Sequence, residues 1–279
     1  MNSDEHRPGE VRFTERTPRV AAARRLTRRA GRDAAGRFLA EGVQAVREAV
    51  ARPETVVELF GTAEALAEHA DLVAAAAAGG AAVSGVTARG MAGLSETVTP
   101  QGLVAVCRFI DVPIEDVAAP VLLAVLAEIR DPGNAGTVLR TADAAGADAV
   151  LFGDTSVDPY NGKCVRSAAG SLFHLPVVRG GDPADQVRTL RGAGVQVLAA
   201  TGHGEADLDT LAAGDTLARP TAWLFGNEAR GVPADLAALT DARVRIPMYG
   251  RAESLNLAAA AAICLYVTAQ AQRVHISPV

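Results

Sequence analysis

Three short stretches carry residue types suited to holding a small polar ligand. They are Thr201-Gly-His-Gly204, Gly226-Asn-Glu-Ala-Arg-Gly231, and the run from Met248 to Asn256, Met-Tyr-Gly-Arg-Ala-Glu-Ser-Leu-Asn. Each is polar, bears glycine and follows a predicted β-strand. In open α/β sheets, ligands bind at the carboxyl ends of the strands. Three such loops meeting at one edge would form a pocket of backbone donors and acceptors, with apolar Leu224, Phe225, Ile246 and Leu255 beside them. That chemistry suits a compact ligand with a heteroaromatic ring and polar edges. Ser254 and Asn256 stand where a long Ala-rich helix begins. Both residue types cap orphan N–H groups, and a helix N-terminus can hold an electron-rich ligand. Taken singly, these loops also fit ordinary strand-to-helix turns and a plainly capped helix.

Several other chemistries lack their signatures. After the first strand of the C-terminal half the sequence reads Asp131-Pro-Gly-Asn-Ala-Gly136, not a Gly-x-Gly-x-x-Gly fingerprint, and no Gly-Lys-Ser/Thr phosphate loop occurs. Cys107, Cys164 and Cys264 are odd in number and far apart, and the five histidines are scattered. Neither a disulfide framework nor a metal site is expected.

The elements that must position these loops follow from composition and pattern. The chain has 279 residues, enough for two domains, and is 49% hydrophobic and 21% charged, as globular chains are. No apolar run suits a membrane span, and the charged N-terminus lacks an apolar signal region, so a cytoplasmic protein is expected. The net charge of −5 hides a basic arm: Arg12 to Arg37 holds nine arginines against Glu15 and Asp33. Such an arm suits a polyanion, although a solvated helix face reads similarly. Lys163 is the only lysine in the chain.

Residues 1–17 read as a loose tail and Val20–Arg29 as a short basic helix interrupted by Gly31. A second helix is predicted over Asp33–Ala51, with Phe38, Leu39, Val43, Val46 and Val50 on one face. Strands at Thr55–Phe60, Ala82–Val86 and Leu103–Phe109, with helices at Ala63–Ala78 and Thr87–Leu94, complete a small α/β domain. Two prolines and three acids mark Asp111–Pro120 as a linker. A second βα series follows, with strands at Val121–Glu128, Ala149–Phe152, Leu175–Val178, Val195–Ala200, Thr221–Phe225 and Val244–Met248. Its helices are predicted at Asn134–Ala145, at Pro183–Ala193, after Pro233 and at the C-terminus. The near-continuous apolar strand at Val121–Glu128 implies a parallel sheet covered on both faces. The domains are therefore set at 1–110, 120–279 and a linker over 111–119.

Asp131-Pro-Gly-Asn-Ala-Gly-Thr-Val-Leu-Arg-Thr-Ala142, then Leu224-Phe-Gly-Asn-Glu-Ala-Arg-Gly231, then Ile246-Pro-Met with Glu253-Ser-Leu-Asn-Leu-Ala-Ala-Ala260, resemble the three motifs of the SpoU/TrmH family of RNA ribose 2′-O-methyltransferases, in the SPOUT superfamily. Order and spacing match. The resemblance covers roughly 120–273 and extends more loosely over 13–110.

It implies a C-terminal α/β domain with a deep trefoil knot, preceded by a small α/β domain like a ribosomal protein that grips RNA. It implies S-adenosylmethionine bound in the knot loops by Thr201, Gly202, Gly226, Asn227, Glu228, Ile246, Met248, Ser254, Leu255 and Asn256. It also implies a homodimer whose active site draws on both chains. Arg140 corresponds to the family's catalytic arginine. A guanidinium is a poor general base, so its expected part is to orient an RNA phosphate and stabilise a developing alkoxide. Asn134 would hold the loop and the ribose region, and Glu228 would fix Arg140 or the partner chain's loop. Ser254 and Asn256 complete the expected catalytic set, with Asn256 contacting the nucleotide. Arg24, Arg25, Arg28, Arg29, Arg32, Arg37, Lys163 and Arg166 would contact RNA. Aromatics are only 4% of the chain, so recognition by RNA shape is expected over broad base stacking. The expected substrate is 23S ribosomal RNA, with tRNA as the alternative, and a non-catalytic assembly factor as a second class. Some members protect the ribosome of an antibiotic producer, and the Arg/Ala-rich composition would suit a high-GC actinobacterium, so an antibiotic-resistance role is a further expectation.

Overall fold

The structure, a computed structural model, describes residues 13–52 and 54–276. The first twelve residues of the expected tail lie outside that range. The chain forms two compact units. One comprises the chain up to Phe109 together with Tyr160–Arg166; the other comprises Ile110–Pro159 and the chain from Ser167 onward.

In the first unit, strands β1 (Arg37–Glu41), β2 (Val56–Gly61), β3 (Ala82–Gly85) and β4 (Leu103–Arg108) form a sheet in the order β1-β4-β2-β3. β4 runs antiparallel to both neighbours, and β2 and β3 are parallel. The helix predicted over Asp33–Ala51 is not formed. The chain instead makes a helix at Arg29–Ala35, then β1, then a helix at Val43–Ala51. Gly36 (φ 59°) and Gly42 (φ 94°) turn the chain on either side of β1 in a conformation that favours glycine. Phe38-Leu-Ala40 reads as a helix face in isolation, but pairing with β4 overrides that local pattern. Gly31 lies within a helix, and the basic segment before it breaks after Arg24 into a single 3-10 turn, Arg25–Thr27. His69 divides the predicted Ala63–Ala78 helix in two. Val20, Leu26, Leu39, Phe60, Met91 and Val104 share one core. Adjacent strand residues face opposite ways, so Phe38 meets the ring of Tyr160 at 4.5 Å on the other side.

The second unit is built on seven parallel strands: β5 (Leu122–Leu126), β6 (Ala149–Phe152), β7 (Val177–Arg179), β8 (Gln196–Ala200), β9 (Ala206–Asp207), β10 (Thr221–Phe225) and β11 (Ala242–Arg245). Their order is β7-β6-β5-β10-β8-β11-β9. Every residue of β5 and β10 is buried, as expected for central strands covered on both faces. On one face, Val187 and Leu190 of the helix Pro183–Gly192 pack with Val125, Leu151, Val197 and Leu224. The helices Pro132–Ala145 and Leu257–Ile276 pack together beside β5, and the latter also meets β10. There the Trp223 indole donates to the Thr268 hydroxyl at 2.9 Å. Short β9 and the helix Leu208–Ala213 have no counterpart in the predicted elements. β11 ends at Arg245, earlier than expected, because residues 246–248 leave the sheet for the loop. Among the described residues no helix is long and apolar enough to cross a membrane.

Candidate active site

The parallel pairing of β5, β10, β8 and β11 places their carboxyl ends on one edge of the sheet. The loops that leave this edge enclose a cavity of about 170 Å³. Its lining includes Thr201, Gly202, Gly226, Asn227, Glu228, Ile246, Met248, Ser254 and Leu255, so all three predicted loops reach it. Phe225, Val244 and Leu257 add apolar wall, and Glu253 adds a carboxylate. The Thr201 hydroxyl oxygen is buried and has no hydrogen-bond partner among the described residues. A buried polar atom without a partner is costly unless a ligand satisfies it.

Asn256 is absent from the lining and does something else. Its Oδ1 accepts from the Ala258 N–H at 2.9 Å, capping the terminal helix, and its Nδ2 donates to Asn134 Oδ1 at 3.2 Å. The expected helix start is therefore at Asn256, while Ser254 belongs to the cavity wall. Asn134 in turn donates from Nδ2 to the Glu228 carboxylate at 3.2 Å. Glu228 also accepts the N–H groups of Arg130 (3.2 Å) and Asp131 (3.1 Å). One chain of hydrogen bonds thus joins the loops after β5, β10 and β11. Burial alone would raise the Glu228 pKa, but the donated backbone and amide hydrogens outweigh it, and the carboxyl sits below the ordinary glutamate value.

The loop after β10 is closed on itself. Asn227 and Gly231 exchange both backbone hydrogen bonds, at 2.9 and 2.8 Å. A Cβ placed on Gly226 would lie 2.3 Å from the Gly231 carbonyl, so only glycine fits. Across from it, Glu128 adopts φ 59°, its carbonyl accepts from Asn227 Nδ2 at 3.1 Å, and its carboxylate pairs with Arg230 at 2.8 Å. Glu128, Arg230 and Arg130 were not anticipated as members of this network. Asp131 carried a legible signal: an aspartate before proline is a good cap, and its carboxylate accepts the Gly133 and Asn134 N–H groups at 2.5 and 3.1 Å.

Arg140 lies on the same helix as Asn134, exposed, and its side chain makes no hydrogen bond or ion pair among the described residues. It makes no bond to Glu228, whose partners are the Arg130 and Asp131 N–H groups and the Asn134 amide earlier on that helix. In the first unit, Arg24, Arg25, Arg28, Arg29 and Lys163 are exposed and Arg37 is half-buried. Arg32 is not on that surface: it is 2% exposed and donates to the carbonyls of Leu26 and Thr27. Arg166 pairs with Glu41 at 2.8 Å and lies 3.5 Å from Glu96. Among the described residues no cluster of ligating side chains could hold a metal ion, and Cys107, Cys164 and Cys264 are buried and form no disulfide.

Comparison with known proteins matches residues 121–266 to the SpoU rRNA Methylase family and residues 17–105 to an MRM3-like substrate binding domain. The chain is similar to the Bacillus subtilis 23S rRNA (guanosine(2553)-2′-O)-methyltransferase RlmP, with 38% identity over 82% of this chain and 87% of that one. An AdoMet-bound rRNA methyltransferase from Sinorhizobium meliloti superposes with a TM-score of 0.81 at 33% identity, covering 96% and 98% of the two chains. The AviRb SpoU methyltransferase from Streptomyces viridochromogenes, in complex with AdoMet, gives 0.79 at 30% identity over 92% and 99%.

Proposed function

The chain belongs to the SpoU rRNA methylase family, and on that premise we propose that it methylates 23S ribosomal RNA as a homodimer, with Arg140 at the reacting ribose. It is an RNA ribose 2′-O-methyltransferase, and S-adenosylmethionine is its cofactor. The observation that carries the reading is the cavity at the carboxyl edge of the sheet, with the Glu228–Asn134–Asn256 hydrogen bonds beside it.

The cavity suits the cofactor. The buried Thr201 hydroxyl would gain a partner there, and Phe225, Ile246 and Leu255 offer apolar walls to an adenine ring. Thr201, Gly202, Gly226, Asn227, Glu228, Ile246, Met248, Ser254 and Leu255 would hold it, with Asn256 fixing the wall from outside. The cofactor supplies a methyl group already activated on a sulfonium. A ribose hydroxyl is a weak nucleophile, so the chain's task is to align it and ease loss of its proton. Arg140 orients an RNA phosphate and stabilises the charge that develops on the ribose oxygen. Asn134, held on both sides, keeps the helix that carries Arg140 in register with the cofactor loops.

Chain order supports the trefoil knot. The chain passes from β8 to the edge strand β9, returns to β10 in mid-sheet, leaves again for β11, and comes back as the helix beside β10. Dimerisation is supported by that helix, whose Ala259, Ile263 and Tyr266 are exposed along one stripe. Arg24, Arg25, Arg28 and Arg29 form the basic surface that would meet rRNA phosphates, and Lys163 adds another exposed cation. Arg32 and Arg166 would act indirectly, by holding the protein that presents them.

The test uses tritiated S-adenosylmethionine with 23S rRNA and with tRNA as separate acceptors, beside Arg140→Ala. Label in rRNA at one alkali-resistant dinucleotide is expected. Label in tRNA alone would overturn the substrate, and no label in either would favour an RNA-binding assembly factor.

A further inference from the structure

Tyr249 is 86% exposed, although it follows Met248 of the cavity lining directly. Among the described aromatics only Tyr266 is comparably open, and that ring belongs to the exposed stripe of the terminal helix. Tyr249 has a polar setting. Its hydroxyl donates to the carboxylate of Asp209, on the helix Leu208–Ala213. The hydrogen bond to that carboxylate, and its charge, also push the phenol pKa up. The ring is tethered at its polar tip and is otherwise largely open to solvent. Two residues on, Arg251 is exposed and makes no ion pair among the described residues, whereas Arg243 and Arg245 are paired to Glu205 and Asp207. Tyr-Gly-Arg therefore offers a π-face and a cation, one flexible residue apart, on the loop that forms the cavity wall.

We propose that Tyr249 and Arg251 form a nucleotide subsite at the mouth of the cofactor cavity, where the ring stacks on a base next to the target ribose and the guanidinium meets its phosphate. The inference rests on RNA being the substrate and adds which residues read the strand beside the target. An unstacked base in a single-stranded loop gains from any aromatic face, and a pre-tethered ring loses little freedom in meeting it. A base stacked on Tyr249 would help splay the strand, so the subsite selects a loop or bulge over a continuous helix.

The test measures KM for a 23S rRNA transcript and for S-adenosylmethionine separately, with Tyr249→Ala, Tyr249→Phe, Tyr249→Trp and Arg251→Ala. Stacking on one base predicts that Tyr249→Ala raises the RNA KM roughly 10-fold. The KM for the cofactor should change by less than about 2-fold, since base stacking acts on the RNA alone. Tyr249→Phe and Tyr249→Trp should retain most RNA affinity. Arg251→Ala should flatten the dependence of log affinity on log salt by about 0.7, the value of one single-strand phosphate contact. An unchanged RNA KM in Tyr249→Ala would overturn the proposal. So would an equal loss of cofactor affinity, or a change in the sedimenting mass, which would place the ring in a protein seam. If the wild-type protein labels no RNA, the methyltransferase reading fails and this subsite with it; an active wild type with an indifferent Tyr249→Ala sinks only the subsite.

Discussion

Asn134 and Glu228 are 94 positions apart in sequence and joined by a 3.2 Å hydrogen bond from the amide Nδ2 to the carboxylate. The same carboxylate takes two backbone N–H groups from the β5 loop, so each of its oxygens faces at least one donor. Glu228→Gln should therefore do more than remove a charge. Its amide NH2 would face one of three donors, and the loops after β5 and β10 would part. The expected result is a fall in kcat of about 10- to 100-fold, since a small displacement of a positioning group has that effect. Steady-state kinetics with RNA and cofactor varied in turn would check it, and near-normal kcat would exclude the role.

The Glu228 carboxyl titrates below its ordinary range. A depressed carboxyl pKa contributes stability above the unfolded value, and that contribution is lost as pH falls through the folded value. Thermal melts of wild type and Glu228→Gln should differ at neutral pH and converge as pH drops below about 4.3, the ordinary glutamate pKa. A gap between the two that persists into strong acid would mean the difference comes from packing and not from the charge.

Gly226→Ala places a methyl group against the Gly231 carbonyl. Backbone cannot swing aside as a side chain can, so the closed turn must open. Cofactor affinity should fall by at least about 10-fold, because a misplaced loop loses several contacts at once. Circular dichroism should remain that of the folded protein. Titration calorimetry gives the answer, and wild-type affinity would show that the turn is not part of the cofactor wall.

Arg140→Ala tests the opposite kind of residue. The Arg140 side chain makes no hydrogen bond or ion pair among the described residues, so the melting temperature should barely move. Methyl transfer should fall by on the order of 10²–10³, the effect of removing one donor from a developing oxyanion. Cofactor binding should be unchanged. A large loss of stability with preserved turnover would assign the residue to structure.

Arg166→Ala removes the guanidinium that faces the buried Glu41 carboxylate. The hydroxyls of Ser95 and Thr97 still reach Glu41, so the cost should fall at or below the usual ~3–5 kcal/mol for breaking a buried pair. Urea denaturation should show the first unit losing stability while cofactor affinity is retained. A variant as stable as wild type would leave Arg166 available as an RNA contact.

Much of the site was legible because its supports are local. β5 and β10 are apolar runs that must be buried, and the polar glycine loops that follow them must lie at a sheet edge. What stayed hidden depends on distant partners. Nothing in Phe38-Leu-Ala-Glu41 distinguishes a strand from a helix until β4 lies beside it. The burial of Arg32 could not be read from a run of arginines, because its partners are carbonyls five and six residues back. Glu128 looked like the end of a strand; its left-handed backbone and its reach to Arg230 need the β10 loop in place.

The segment Tyr160–Arg166 is spatially part of the unit whose remaining residues end at Phe109. The polypeptide therefore passes between the two units three times, at 109–110, 159–160 and 166–167. A gene cut once between them encodes neither unit whole: the N-terminal piece would lack Tyr160 and the arginine opposite Glu41, and the C-terminal piece would carry both without their partners. Recombination at that boundary would part Glu41 from Arg166, so changes around Glu41 are expected to be answered by changes more than a hundred residues downstream.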